Sequence, residues 1–184
     1  MQSLLEYTKG KRYRLIYADP PWSYRNVKTG GSLKSGAAQK YPVMSVDEIA
    51  SLPVPAISMR DSVLFLWATV PLLPEALHVM KSWGFEYKTA FFWKKKSFGL
   101  GYWFRGVIEV CLIGIKGNIK PFRMQIPNFI ETKPGRHSEK PKEMYVILEK
   151  LNLNPKIELF ARERRAGWDA WGLEVPDTIQ KTLI

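Results

Sequence analysis

Asp19, Pro20, Pro21 and Trp22 follow one another directly after the apolar run Leu15, Ile16, Tyr17 and Ala18. They set a carboxylate, rigid backbone carbonyls and a flat indole side by side, a combination able to hold and activate an aromatic amine. Proline has a fixed φ and no amide hydrogen, so this tetrapeptide cannot continue a central strand, and its carbonyls turn away from the ladder. It reads as a rigid hook at the end of a strand, the edge at which open α/β sheets bind ligands.

The exocyclic amine of adenine is a poor nucleophile because its lone pair is delocalised into the ring. A site that alkylates it must draw the nitrogen towards tetrahedral geometry. The Asp19 carboxylate and the Pro20 carbonyl can each accept one amine hydrogen, which aims the lone pair at an electrophilic methyl group by positioning and electrostatics. After methylation the nitrogen is acidic, and Asp19 or water takes its proton. Trp22 is expected to stack on the base and Tyr24 to form a second wall, each such contact being worth roughly 1 to 3 kcal/mol.

Further along the chain, Glu158 is an acid in a stretch otherwise suited to burial, and a buried carboxylate needs a partner, either a cofactor or a basic neighbour. Lys140 opens a helical stretch, where an anion is favoured in any case. Lys94, Lys95 and Lys96, followed by Tyr102, Trp103, Phe104 and Arg105, read as a basic and aromatic loop of the kind that tracks phosphates and stacks on bases. The arginines from 162 to 165 are expected to enter the crevice behind Glu158. His78 has no nucleophile or ligand spacing around it and reads as a surface residue.

The chain has 184 residues and a formal charge of +11, which favours a polyanionic partner, nucleic acid above all. The basic residues fall mainly in loops, not on an amphipathic helix, and no long uncharged apolar run or signal peptide is present. The expectation is one soluble cytoplasmic domain over residues 1–184, without membrane contact. Cys111, the single cysteine, reads as a small core residue, and with only two histidines there is no zinc spacing, so no metal is expected.

The elements that must position these groups follow from apolar patterning. Residues 13–18 and 62–68 read as continuously apolar strands of the parallel-sheet type. Pro74 starts a helix that carries Leu73, Leu77, Met80 and Trp83, with Ala76 as an alternative member, at helical spacing and stops at Gly84. Residues 87–93 and 107–115 read as strands, and 140–151 as a helix with Met144, Ile147, Leu148 and Leu151 on one face. Residues 156–160 form the last clear strand. The order implies a doubly wound α/β sheet. Residues 27–39 and 121–136 carry no periodicity and read as loops that gate a substrate.

Four stretches together closely resemble the adenine-N6 methyltransferases of the mRNA adenosine methyltransferase type, in their bacterial and phage form. They are Ala18-Asp19-Pro20-Pro21-Trp22; Leu64-Phe65-Leu66-Trp67-Ala68-Thr69; His137-Ser138-Glu139-Lys140-Pro141; and Ile157-Glu158-Leu159-Phe160-Ala161-Arg162 followed by Gly167-Trp168-Asp169-Ala170-Trp171-Gly172. With Phe92-Trp93-Lys94 they cover nearly the whole chain in the family's order. The resemblance implies a Rossmann-like fold in circularly permuted order, catalytic motif first and cofactor strand last, with S-adenosylmethionine as methyl donor. It makes Asp19, Pro20, Pro21 and Trp22 the catalytic hook. It assigns Asp19, Ser138, Lys140, Glu158, Leu159, Phe160, Arg162 and Glu174 to the cofactor, with Lys140 meeting its methionine carboxylate.

Two departures stand out. Leu173 occupies a place where relatives commonly have asparagine and cannot hydrogen-bond as asparagine would, and Ala161 stands where some relatives have glycine, so a modest cofactor affinity is expected. DNA is the expected polymer ahead of RNA, and a homodimer or a partner subunit is left open. The competing readings are a catalytically silent nucleic-acid-binding subunit and an enzyme that methylates cytosine N4.

Overall fold

The computed structural model describes residues 2–23, 43–96, 103–133, 135 and 139–172. Its centre is a seven-stranded sheet. The strands are β1 (Tyr13–Ala18), β2 (Ser58–Thr69), β3 (Glu86–Lys95), β4 (Ile108–Lys116), β5 (Phe129–Thr132), β6 (Lys156–Leu159) and β7 (Asp169–Trp171), in the spatial order β5-β3-β4-β2-β1-β6-β7. β1 pairs in parallel with both β2 and β6, and β6 with β7. β4 is antiparallel to its neighbours β2 and β3. The first strand therefore leads to β2 on one side while the last strands return on its other side. That reversal puts a topological switch point, with its crevice, at the carboxyl ends of β1 and β6.

Period-two alternation divides the core. Ile16, Ala18, Leu64, Leu66, Val110 and Leu112 face one layer, which holds α2 (Val46–Ala50), α3 (Val54–Ile57) and α4 (Leu73–Ser82). Leu15, Tyr17, Val63, Phe65, Trp67 and Cys111 face the other, which holds α5 (Lys142–Lys150). A short helix, α1 (Leu4–Thr8), precedes β1, its start closed by a reciprocal Ser3–Glu6 capping box.

Helices on both faces bear out the expected α/β class. The buried stripe of α4 differs from the expected one. Ala76, Val79, Met80 and Trp83 are buried, whereas Leu77 is exposed, because burial of Trp83 beneath α2, with its indole N–H bonded to the Ile49 carbonyl at 3.0 Å, sets the rotation of the helix. Residues 121–136, expected as loop throughout, contain β5, which pairs with β3 from Phe92↔Phe129 to Lys95↔Thr132. Residues 27–39 lie outside the described residues.

Candidate active site

The hook emerges from β1 as expected and is clamped by a second segment. The Trp22 amide donates to the Pro20 carbonyl at 2.9 Å, closing a tight turn, and the Met44 amide donates to the Pro21 carbonyl at 2.8 Å while Met44 accepts from Ser23 at 3.0 Å. Met44 immediately precedes Ser45, whose capping box with Glu48 starts α2, so the helix entry and the clamp are one feature. Pro20 retains a second lone pair, and its carbonyl is fixed by the turn it closes.

Trp22 requires a correction. Its indole is only 7% exposed, packs in the core and donates its N–H to the Trp67 carbonyl at 3.0 Å. A buried indole must satisfy its N–H. Doing so here turns the ring into the anchor of the hook and leaves it no open face for stacking on a base.

Asp19 follows Ala18, which lies level with Leu66 and Leu159 in the flanking strands. Its carboxylate, 20% exposed, is 2.6 Å from the Lys140 ammonium, and the same ammonium lies 3.3 Å from Glu109. Glu109 is also paired with Lys95. The result is a chain of alternating charge, Asp19–Lys140–Glu109–Lys95, along the rim of the sheet, with the Lys140 ammonium 5.6 Å from the centre of the Trp67 ring. Burial pushes the Asp19 carboxyl above its ordinary range, and Lys140 only partly offsets this because it is shared with Glu109. Burial acts on Glu109 too, but its two lysines outweigh it and hold that carboxyl below the usual range. Lys140 is held above its ordinary value by its two acids, against the opposing effect of burial.

Glu158 sits opposite Tyr17 in the β1–β6 register. Its carboxylate accepts from the Tyr145 hydroxyl of α5 at 2.8 Å, and the Arg165 guanidinium lies over the Tyr145 ring at 3.8 Å. Burial pushes its carboxyl up to about 7, although Tyr145 and Arg165 act in the opposite direction.

Beyond Glu158 the chain turns sharply. Leu159 is fully buried, so only its backbone can meet a ligand, while Phe160 takes a left-handed φ of 62° and its ring meets Trp171 edge-on at 5.7 Å. The close approach is made at Gly172, where a Cβ would lie 2.1 Å from the Ala161 carbonyl oxygen. The glycine that this crossing demands is thus the residue just past β7, and alanine fits at 161. Arg162 lies near enough to Asp19 to favour its charged form.

The lysine run also differs from expectation. Lys94 and Lys95 belong to β3, not to a loop, Lys94 pairing with Glu131 at 3.2 Å and Lys95 with Glu109. The antiparallel ladder carries β3 two residues past the expected end, and both ammonium groups are taken by acids of neighbouring strands. Lys96 is the exposed member of the three. Tyr24, Ser138 and Glu174 lie outside the described residues.

Two residues were missed in the sequence, Glu109 and Tyr145, whereas Arg165 stands beside Glu158 as the run 162–165 led one to expect. Glu109 did carry a signal, since it is an acid at the head of the apolar run 110–113. It reaches the site because β4 runs against its neighbours, so that its first residues lie at the edge where β1 and β2 end.

The MT-A70 family model matches residues 13–174. The chain belongs to the MT-A70 family. Among its relatives is the type II methyltransferase M.MunI of Mycoplasma sp, 37% identical over 91% of this chain and 79% of that protein. Another is the N(6)-adenosine-methyltransferase catalytic subunit METTL3 of Homo sapiens, 29% identical over 82% of this chain and 26% of that protein. A putative N(6)-adenosine-methyltransferase of Medicago truncatula is 30% identical over 88% of this chain and likewise 26% of its own length. As an MT-A70 protein this chain is an S-adenosylmethionine-dependent methyltransferase of the N6 amine of adenine in nucleic acid.

The side chains present fit the MT-A70 cofactor. S-adenosylmethionine offers a carboxylate, two cationic centres and a ribose diol, and the crevice supplies an ammonium and carboxylates within one row. An ammonium has three hydrogens, so Lys140 can meet a cofactor carboxylate while bonded to Asp19 and Glu109. Among the described residues no cluster suited to a metal ion occurs, and no helix is long and apolar enough to cross a membrane.

Proposed function

We propose that this MT-A70 protein methylates adenine in DNA, with residues 1–184 acting as a single cytoplasmic catalytic domain. The observation that carries the choice of polymer is the match to a type II methyltransferase across most of that protein's length. The adenosine methyltransferases are matched over about a quarter of theirs. The charge of +11 suits either polymer.

Asp19 accepts one hydrogen of the amine, and the Pro20 carbonyl, its direction set by the Trp22 amide, accepts the other. The amine nitrogen is thereby turned so that its lone pair leaves the ring plane. Bound S-adenosylmethionine supplies the electrophilic methyl group. Lys140 orients the Asp19 carboxylate and receives the cofactor carboxylate, while Glu109 and Lys95 hold Lys140 in line. Glu158 receives the ribose diol, and the backbone of Leu159 and Phe160, with Arg162, closes that end of the crevice. As positive charge develops on the amine, Asp19 takes its proton, and the upward shift in its pKa makes it a better acceptor. Pro21 and Trp22 serve the hook through the Met44 clamp and the Trp67 carbonyl.

The test is methylation of plasmid DNA, single-stranded DNA and RNA in parallel with labelled cofactor, followed by mass spectrometry of the nucleosides. N6-methyladenine in DNA is the expected product. Label confined to RNA would overturn the polymer, and label on cytosine the base. Retained nucleic-acid binding without cofactor binding in calorimetry would point to a silent subunit.

A further inference from the structure

Between β3 and β4 stand Trp103 and Phe104, 94% and 88% exposed, followed by Arg105 and Gly106, also exposed. Two large rings left in water forgo the burial that drives folding, so the fold itself gives no reason for them. Their place does. Trp103 and Phe104 stand just ahead of Val107, whose carbonyl accepts from the Lys95 amide at 2.8 Å, and so at the edge of the sheet where Glu109 of β4 meets Lys140, which in turn meets Asp19. Trp103 lies six positions before Glu109, a reach of at most about 22 Å.

In a duplex the target amine is paired and its ring stacked, whereas the Asp19 carboxylate lies in a crevice and is only 20% exposed. The base must leave the stack to reach it, and the space it vacates needs an apolar filling. Trp22 is buried and cannot provide one. We propose that Trp103 and Phe104 form a wedge that enters duplex DNA beside the target adenine and fills its vacated place, while Arg105 and the exposed Lys96 contact the flanking phosphates. The inference rests on the reading of DNA as substrate. Charge complementarity favours DNA over a protein surface at this patch, since the rings are flanked by Lys96 and Arg105 on a chain of net charge +11.

The experiment compares wild type with the Trp103→Ala/Phe104→Ala double variant on duplex and single-stranded oligonucleotides built around a site mapped in plasmid DNA. The expected result is a loss of tenfold or more on the duplex and a change of less than twofold on the single strand, where no stack has to be opened. With 2-aminopurine at the target position, wild type should raise the fluorescence of the duplex and the variant should not, whether or not methyl transfer occurs. Equal losses on both substrates, or none on either, would overturn the wedge. So would a halving of the mass by light scattering together with equal losses, which would make the patch a contact between copies of this chain. Wild-type activity on the two DNA substrates tests the underlying reading separately: its absence on both, with label confined to RNA, would sink that reading whatever the variant does.

Discussion

Asp19 and Glu158 lie on adjacent strands, face the same side of the sheet and are both lifted by burial, yet their partners differ in kind. Asp19 meets an ammonium, Lys140, whereas Glu158 meets a neutral phenol, Tyr145, with the Arg165 guanidinium one ring further away. A cation stabilises a carboxylate more than a neutral hydroxyl does. The first acid is consequently an acceptor held against an ammonium and aimed at an amine, and the second titrates near neutrality and responds to what binds it. Burial alone does not assign a role to a carboxylate; the charge of its partner does.

The largest effect should come from removing the Asp19 carboxylate. Asp19→Ala is expected to lower kcat by at least about 100-fold, with the far-ultraviolet circular dichroism and the affinity for DNA unchanged. An active variant would end the claim that Asp19 holds the amine. Next in size, Lys140→Met takes from Asp19 its paired ammonium and leaves Glu109 with Lys95 alone, and its expected cost is about 3 kcal/mol in denaturant unfolding. Glu109→Gln, which leaves the Asp19–Lys140 pair in place, should cost less than half of that. Equal costs would show that Lys140 is not shared.

Glu158→Gln tests the second acid through pH. The folded value is about 7 against 4.5 for the free group, so the folded state binds the proton more tightly. The contribution of Glu158 to stability is most favourable below about 4.5 and is lost as pH rises through 7, a span on the order of 3 kcal/mol. The glutamine variant should therefore melt higher than wild type at pH 8 while binding S-adenosylmethionine more weakly. Wild-type KM for the cofactor should rise as pH falls from 8 to 6, and the variant's should stay flat. A variant that melts lower at pH 8 would show that the charged form of Glu158 is well compensated after all. The smallest change is Trp22→Phe, which keeps most of the packing and loses the bond to the Trp67 carbonyl. About 1 kcal/mol of stability should go with it, and a loss confined to DNA affinity would restore the stacking role.

The amino-acid sequence by itself determined five of the seven strands, because apolar runs such as 15–18 and 63–68 have no other way to satisfy both backbone and side chains. It determined the hook as well, because consecutive prolines stop a ladder wherever they occur. Asp19 and Glu158 could be singled out as acids beside apolar neighbours for the same local reason. Partners could not be read in this way. Lys140 is 121 residues from Asp19 and 31 from Glu109, and only the reversal of β4 brings all three to one edge. β5 and β7, with four and three residues, are too short to show a period and exist because a neighbouring strand offers them a ladder. Trp22 has the composition of a stacking residue, and its burial against Trp67 made it an anchor instead. Local chemistry is written in neighbouring residues, but ion pairs and burial depend on which distant segments meet, and the order of the strands decided that.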